Sequence, residues 1–429
     1  MDRIKIMISR EILSSVLKEN EEEVSRYQVV SREIPLGDFP LHVLVGIRRA
    51  GKSFALYQRI QEYLHSGIGW DEMLYANFED ERLVGMDLSD LNLLLEIHQG
   101  RYGKRPRLFL DELQVIPGWE HFARRLADQK YEVYITGSNA SMLSAEINAT
   151  LGGRYLCHTI FPYSFKEYLK ANDVVVKNYA SLSTSARAKI MSLWSDYLQF
   201  GGFPEAATLS VRRQYLDSLY KKIFLGDICG RHNLENSTAL RILFRKLAES
   251  VCHPISHTRL RDTIASVGGR ISTTTVISYL QYAQDAWLIL GLENLASKLV
   301  EKETNRKYFF ADTGLLNLFL LDGKSALLEN LIAVELLRRY GMEEQVYFYA
   351  NGVDVDFVVP EASLAVQACY ALDETPDTRE REITALRKLH RRFPLKTAII
   401  VTNSQEETIS ADGLTIQVIP AWKWLLGKE

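Results

Sequence analysis

The chain has 429 residues, 47% hydrophobic and 24% charged, with a formal net charge of −3. That length exceeds one comfortable core and implies two or three domains, while the balanced charge excludes binding of nucleic acid through the overall field and leaves only local basic surfaces. Cys157, Cys229, Cys252 and Cys369 form no close pair for zinc or redox chemistry, the charged N-terminus lacks a signal-peptide core, and no run approaches the ~20 apolar residues of a membrane span, so a cytoplasmic protein is expected.

The first predicted strand, "LHVLV" (41–45), runs into "GIRRAGKS" (46–53), which fits G-x-x-x-x-G-K-[ST] at every fixed position. "FALYQRIQEYL" follows with helical spacing of its apolar residues. A strand, this loop and a helix are what phosphate binding requires. Gly46 and Gly51 allow the tight fold, and the backbone of Ile47, Arg48, Arg49 and Ala50 would line the phosphates of ATP beside the helix N-terminus. Lys52 would reach the β- and γ-phosphates, and Ser53 would give its hydroxyl to Mg2+.

A strand at "EMLYANF" (72–78) and a helix at "LSDLNLLLEIHQ" come next, then "RLFLDELQ" (107–114). A buried strand seldom ends in two carboxylates unless a cation or a reaction needs them. Asp111 is placed to hold Mg2+ through its water shell, and Glu112 to orient or deprotonate an attacking water. "YEVYITGS" (131–138) ends at Ser138 and Asn139, on the edge where an α/β sheet holds its ligand. Arg154 follows "TLGG", and "RYLCHTIFP" (154–162) is the last strand of a parallel sheet with crossover helices.

In this order, "GIRRAGKS", "NFED", "LFLDELQ", "ITGSN" and "LGGR" resemble the AAA+ ATPases, and specifically a prokaryotic family of them with an added C-terminal domain of unknown function. The resemblance implies a P-loop AAA+ core over 1–162. It implies that Ser138 or Asn139 acts as sensor 1 toward the γ-phosphate or the water. It also implies that Arg154 is an arginine finger for a neighbouring subunit, which requires a homo-oligomer. Asn77 would hold the catalytic glutamate in a resting rotamer.

Residues 163–236 are mostly helical in pattern, broken at "YLQFGGFPEA" (197–206). By resemblance this is the helical lid, with the Gly-Gly-x-Pro stretch near the adenine and Arg231 as a nucleotide-contacting arginine. From about 237, helices at "ALRILFRKLAESV", "SHTRLRDTIASV" and "STTTVISYLQYAQDAW" precede strands at "WLILGLEN" and "KYFFAD" joined by the charged turn "SKLVEKETNR". Three helices and a two-stranded wing make a winged helix-turn-helix over 237–320. Its recognition helix would expose Ser272, Thr273, Thr274, Ser278 and Gln281. None of these is basic, although phosphate contacts dominate nucleic-acid affinity. Arg259, Arg261 and Arg270 flank the helix, and Lys298, Lys302, Arg306 and Lys307 lie on the wing among Glu301 and Glu303. That modest rim makes duplex DNA one candidate partner, against a structural or protein-binding role.

The last segment, 321–429, opens with the helix "ALLENLIAVELLRRYG", carrying Glu329 and Glu335. A hairpin turns at Asn351-Gly352, then come the strand "LAVQACY", a helix and the strand "KTAIIVTN". The order resembles a restriction-endonuclease-like α/β domain. Active nucleases of that fold place an Asp on one strand and Glu-x-Lys on the next. Asp356 stands in the Asp position, with Asp354 beside it, and Glu335 is the expected helix carboxylate. Gln367 replaces the second acid and Cys369 the lysine. A neutral amide brings no charge to offset dehydration of Mg2+, and a lone thiol suits a packed strand, so nuclease activity is not expected. The expected function is therefore an ATPase that hydrolyses ATP with Mg2+ to move domains on nucleic acid or a protein partner. The alternatives are a slow ATP-dependent switch and an ATP-gated nuclease.

Overall fold

The computed structural model describes residues 8–143, 145–176, 182–234, 237–269, 271–342 and 345–427. Arg270 lies outside the described residues. The chain divides into two compact units, Met1–Phe161 and Pro162–Glu429.

In the first unit, α1 (Arg10–Arg26) precedes β1 (Leu41–Val45) and α2 (Lys52–His65). Then follow β2 (Met73–Asn77), α3 (Leu91–Tyr102), β3 (Arg107–Asp111), α4 (Trp119–Asp128), β4 (Val133–Gly137), α5 (Ala145–Leu151) and β5 (Leu156–Thr159). The strands form one parallel sheet in the order β2-β3-β4-β1-β5. β1 and β4 are buried along their whole length, as strands in the middle of a helix-covered parallel sheet must be, with His42 and Thr136 as their buried polar residues. Because all five strands run the same way, their C-terminal ends share one edge. Register pairs Asn77 with Asp111 and Val45 with Gly137 there, so the phosphate loop, the acidic pair and the β4 turn converge. The sequence pattern had not suggested α1. Ser9 caps it by accepting the Ile12 N–H, and it buries Leu13, Val16, Leu17 and Val24.

The second unit begins with α6 (Phe165–Ala171), α7 (Thr184–Phe200) and α8 (Arg212–Lys222), the last continuing into a π-helical stretch over Ile223–Gly230. Next come α9 (Thr238–Glu249), β6 (Ile255–Ser256), α10 (His257–Ser266), α11 (Thr273–Asp285), β7 (Ile289–Leu292), α12 (Leu299–Thr304) and β8 (Asn305–Phe310). β8 lies between β6 and β7, antiparallel to both. The connection expected to be a charged turn contains the short helix α12.

α13 (Thr313–Leu316) and α14 (Lys324–Tyr340) lead to β9 (Tyr347–Ala350), β10 (Asp354–Val359), β11 (Leu364–Ala368), α15 (Pro376–Arg392), β12 (Thr397–Thr402), β13 (Glu407–Ala411), β14 (Leu414–Pro420) and α16 (Ala421–Leu426). Their mixed sheet has the order β13-β14-β12-β11-β10-β9. Ile383, Leu386 and Leu389 of α15 pack with Val355, Ala365, Ile400 and Ile416 of the strands. Among the described residues, no helix is long and apolar enough to cross a membrane.

The Gly-Gly-x-Pro stretch is held inside this second unit. Asp312 accepts the Gly202 N–H at 2.8 Å through Oδ2 and the Gly314 N–H at 2.8 Å through Oδ1. The Gly202 carbonyl accepts the Tyr163 N–H, and a Cβ at Gly202 would meet the Tyr163 oxygen at 2.2 Å. Only glycine fits so close a backbone approach.

Candidate active site

The phosphate loop leaves β1 at Gly46, where φ is +149° and an added Cβ would meet the Ile160 carbonyl oxygen at 2.2 Å. A side chain there would displace β5 from β1. At the other end Gly51 takes φ +95° and starts α2, with no side chain capping the helix. The first turn of α2 therefore offers backbone N–H groups and the positive end of its dipole to an anion. Lys52 is buried. Its ammonium donates to the Gly46 carbonyl at 3.1 Å and the Ile47 carbonyl at 3.3 Å, and lies 3.6 Å from Glu112 Oε1.

Asp111 is buried among hydroxyls. Tyr75 donates to Oδ2 at 2.9 Å, Thr136 donates to Oδ1, and Ser53 also bonds the carboxylate. Burial, then the neighbouring Glu112 charge, pushes Asp111 above the usual carboxylate range despite these donors. A carboxylate and a hydroxyl form an oxygen-only donor pair at a site that disfavours bare negative charge. That chemistry fits a hard divalent cation such as Mg2+.

Glu112 adopts φ +55°, a left-handed conformation costing an L-residue about 1–2 kcal/mol. Its own N–H is fixed on Thr136 Oγ1 at 2.9 Å, which holds the strained turn. Burial raises its pKa, but Lys52, the Gln114 amide, Arg48 and the Ser138 hydroxyl together outweigh that and hold it below its ordinary value. Glu112 is thus ionised at neutral pH, as a base must be.

Lys52, Ser53, Asp111, Glu112 and Ser138, expected from separate motifs, therefore meet in one buried cluster. Arg48 lies nearby, paired with Glu79 at 3.2 Å. Asn139 is buried at the turn after β4, its carbonyl accepting the Met142 N–H. Asn77 accepts the Glu79 N–H at 3.0 Å. Arg154 does not join the cluster. It precedes β5, at the opposite edge of the parallel sheet, and pairs with Asp128 at the end of α4 at 2.6 Å. Arg231 belongs to the second unit, 3.9 Å from Asp227.

Some site residues carry no motif. Buried Arg32 donates to the Ala50 carbonyl at 2.9 Å and the Phe161 carbonyl at 2.8 Å, tying the loop to the strand exit. Tyr27 stacks on Tyr57 with centroids 5.3 Å apart, and Phe54 packs against both. Tyr27 and Phe54 stay 42% and 40% exposed, their rings tilted 59° to one another, so an aromatic surface lies one residue beyond Ser53. No sequence motif marked this surface, because Tyr27 comes from a distant segment. Tyr75, on β2, was detectable only through its neighbour in space.

Two expectations for the second unit need correction. Lys307 is not part of a basic rim. It is buried, its ammonium 2.9 Å from Glu329 and 3.1 Å from Asp356, because β8 turns it inward. Nor is Glu335 the helix carboxylate beside Asp356. It pairs with Arg338 at 3.2 Å and Arg339 at 2.8 Å, and Glu329 takes that place. Six residues of α-helix turn the side chain about 120° away, so the two acids face different neighbours. Of the other rim residues, Arg259 is exposed, while Arg306 and Lys302 share Glu293 at 3.0 and 3.9 Å.

Residues 38–169 match a family described as an AAA domain, and residues 191–326 match a domain of unknown function (DUF8612). The Uncharacterized protein MJ1544 of Methanocaldococcus jannaschii is 33% identical over 99% of this chain and 97% of its own. A Haemophilus influenzae protein, also described as uncharacterized, is 30% identical over 90% of this chain and 94% of its own. Among solved structures, the Walker-type ATPase PABY2304 of Pyrococcus abyssi covers 74% of this chain and 97% of its own, with 16% identity and a TM-score of 0.39.

Proposed function

Since the chain belongs to the family of MJ1544 and carries an AAA domain, we propose that it binds ATP at the β1–α2 loop and hydrolyses it. Hydrolysis would drive movement of the remaining chain on nucleic acid or a protein partner. One observation carries this reading: the ammonium, hydroxyl and two carboxylates meet in a single buried cluster, with Glu112 ionised beside Lys52. Lys52 would exchange its loop carbonyls for the β- and γ-phosphates, and the first turn of α2 would bind them through backbone N–H groups. Ser53 and Asp111 would hold Mg2+, which when bound neutralises charge on the phosphates. Glu112 would take the proton of the attacking water, with Ser138 and Asn139 orienting it toward the γ-phosphate. The aromatic surface of Tyr27 and Phe54 would receive the base. Arg154, being away from its own cluster, would act on the site of a second copy.

The test pairs binding of a fluorescent ATP analogue with phosphate release. Lys52→Ala should lose both. Glu112→Gln should keep binding and lose about 100-fold or more in turnover. Failure of the unaltered protein to bind adenine nucleotide with Mg2+, or undiminished turnover in both variants, would overturn the proposal.

A further inference from the structure

A sheet with acids on a strand and a helix invites a metal ion, and the residues of the second unit do not fit one. We propose that Lys307 is a built-in cation: its ammonium permanently fills the point where Glu329 and Asp356 converge, making the C-terminal sheet a metal-free structural joint between β8, α14 and β10.

The geometry carries this. Lys307 Nζ lies 2.9 Å from Glu329 Oε1 and 3.1 Å from Asp356 Oδ1, with the lysine and Glu329 side chains each 7% exposed. The Phe348 ring stands 5.7 Å from the ammonium. Burial alone would discharge the lysine, but the two carboxylates outweigh it and hold the ammonium charged. Glu329 is pushed up to about 7, by burial first and then by Asp356, so the pair of acids depends on a cation.

The polar groups around the ammonium are committed to neighbours. Asp356 Oδ2 accepts the Ala368 N–H at 3.0 Å, and the Asp356 N–H donates to Gln367 Oε1 at 2.7 Å. Gln367 Nε2 donates to Glu382 Oε2 at 2.7 Å and to the Asp354 carbonyl at 3.2 Å. A glutamate at 367 would have no proton for Glu382 and would add a fourth carboxylate to Glu329, Asp356 and Glu382. The amide is therefore required by what surrounds it. Cys369 is buried, and burial, followed by Glu382, pushes its thiol up to about 11, so it stays neutral. Among the described residues, no three His, Cys, Asp or Glu side chains converge to hold a metal. A tethered ammonium, unlike a metal, cannot dissociate.

The experiment is thermal unfolding of the full chain, stripped of metal and nucleotide, with and without Mn2+. Any response of the unaltered protein to Mn2+, as at Ser53 and Asp111, should be the same in an Asp356→Asn protein. Lys307→Ala should melt roughly 10 °C lower, because it leaves the buried Glu329 carboxylate facing the half-buried Asp356 with no cation between them. Mn2+ should restore part of that loss, and Lys307→Ala with Asp356→Asn should lose the rescue. If Lys307→Ala yields no folded protein, the charge-free combination Lys307→Met, Glu329→Gln and Asp356→Asn should fold, and its failure would overturn the proposal. So would a Lys307→Ala protein that melts normally, or one that Mn2+ does not rescue. Plasmid cleavage by the unaltered protein in Mn2+, abolished by Asp356→Ala, would overturn it equally.

Discussion

Asp111 illustrates how much of the site lies outside its motif. Its position was readable from "LFLDELQ", because a strand pattern ending in two acids has few other uses. Its orientation depends on Tyr75 and Thr136, from the strands on either side of β3. No local pattern marks those residues. A hydroxyl bonded to a carboxylate contributes about 1.5–3 kcal/mol, and losing it should loosen Asp111, the proposed Mg2+ ligand, without touching the loop. Tyr75→Phe is therefore expected to keep ATP binding and to lower Mg2+-dependent turnover about tenfold, measured by phosphate release. Turnover equal to the unaltered protein would exclude Tyr75 as the positioning residue.

Between elements, buried side chains join strands and helices. His42 on β1 and His158 on β5 lie 2.9 Å apart, Nδ1 to Nε2, so both cannot carry a proton toward the other. Burial, and then His42, lowers His158 to about 4. The folded state keeps this imidazole neutral where the unfolded chain, near 6.5, takes up a proton. Its contribution to stability is therefore complete above about pH 6.5 and lost progressively toward pH 4. His158→Gln should flatten that part of the stability profile, read as urea midpoints at pH 7 and pH 5, and an unchanged difference would refute the assignment. In the second unit, Asn330 accepts the Phe310 N–H at 2.7 Å and donates to the Phe310 carbonyl at 2.9 Å, bonding α14 to the end of β8. Asn330→Ala strands both backbone groups and should cost about 2–4 kcal/mol in denaturant unfolding. A loss below half that value would mean water satisfies them.

At the scale of the molecule, the net charge of −3 gives nucleic acid no general attraction. Lys307 is withdrawn from the surface, Lys302 and Arg306 share Glu293 and Arg261 pairs with Asp262, which leaves Arg259 and Lys298, among the described residues, as exposed positive groups of the α10–β8 region. Any contact with duplex DNA through this face should therefore be weak, with a shallow salt dependence set by those few charges. Arg259→Glu with Lys298→Glu should weaken anisotropy-detected binding and reduce the salt slope by about two. Absence of binding by the unaltered protein at low salt would remove DNA as a partner of this face.

The phosphate loop, the acidic pair and the alternation of the first sheet were determined by the sequence alone, because each is a contiguous run whose chemistry depends on neighbours along the chain. Tertiary structure alone decided which acid faces Asp356, where Lys307 points, and which hydroxyls hold Asp111. Those outcomes depend on the rotation of a helix and the facing of a strand, and side chains from distant segments meet only once both are packed.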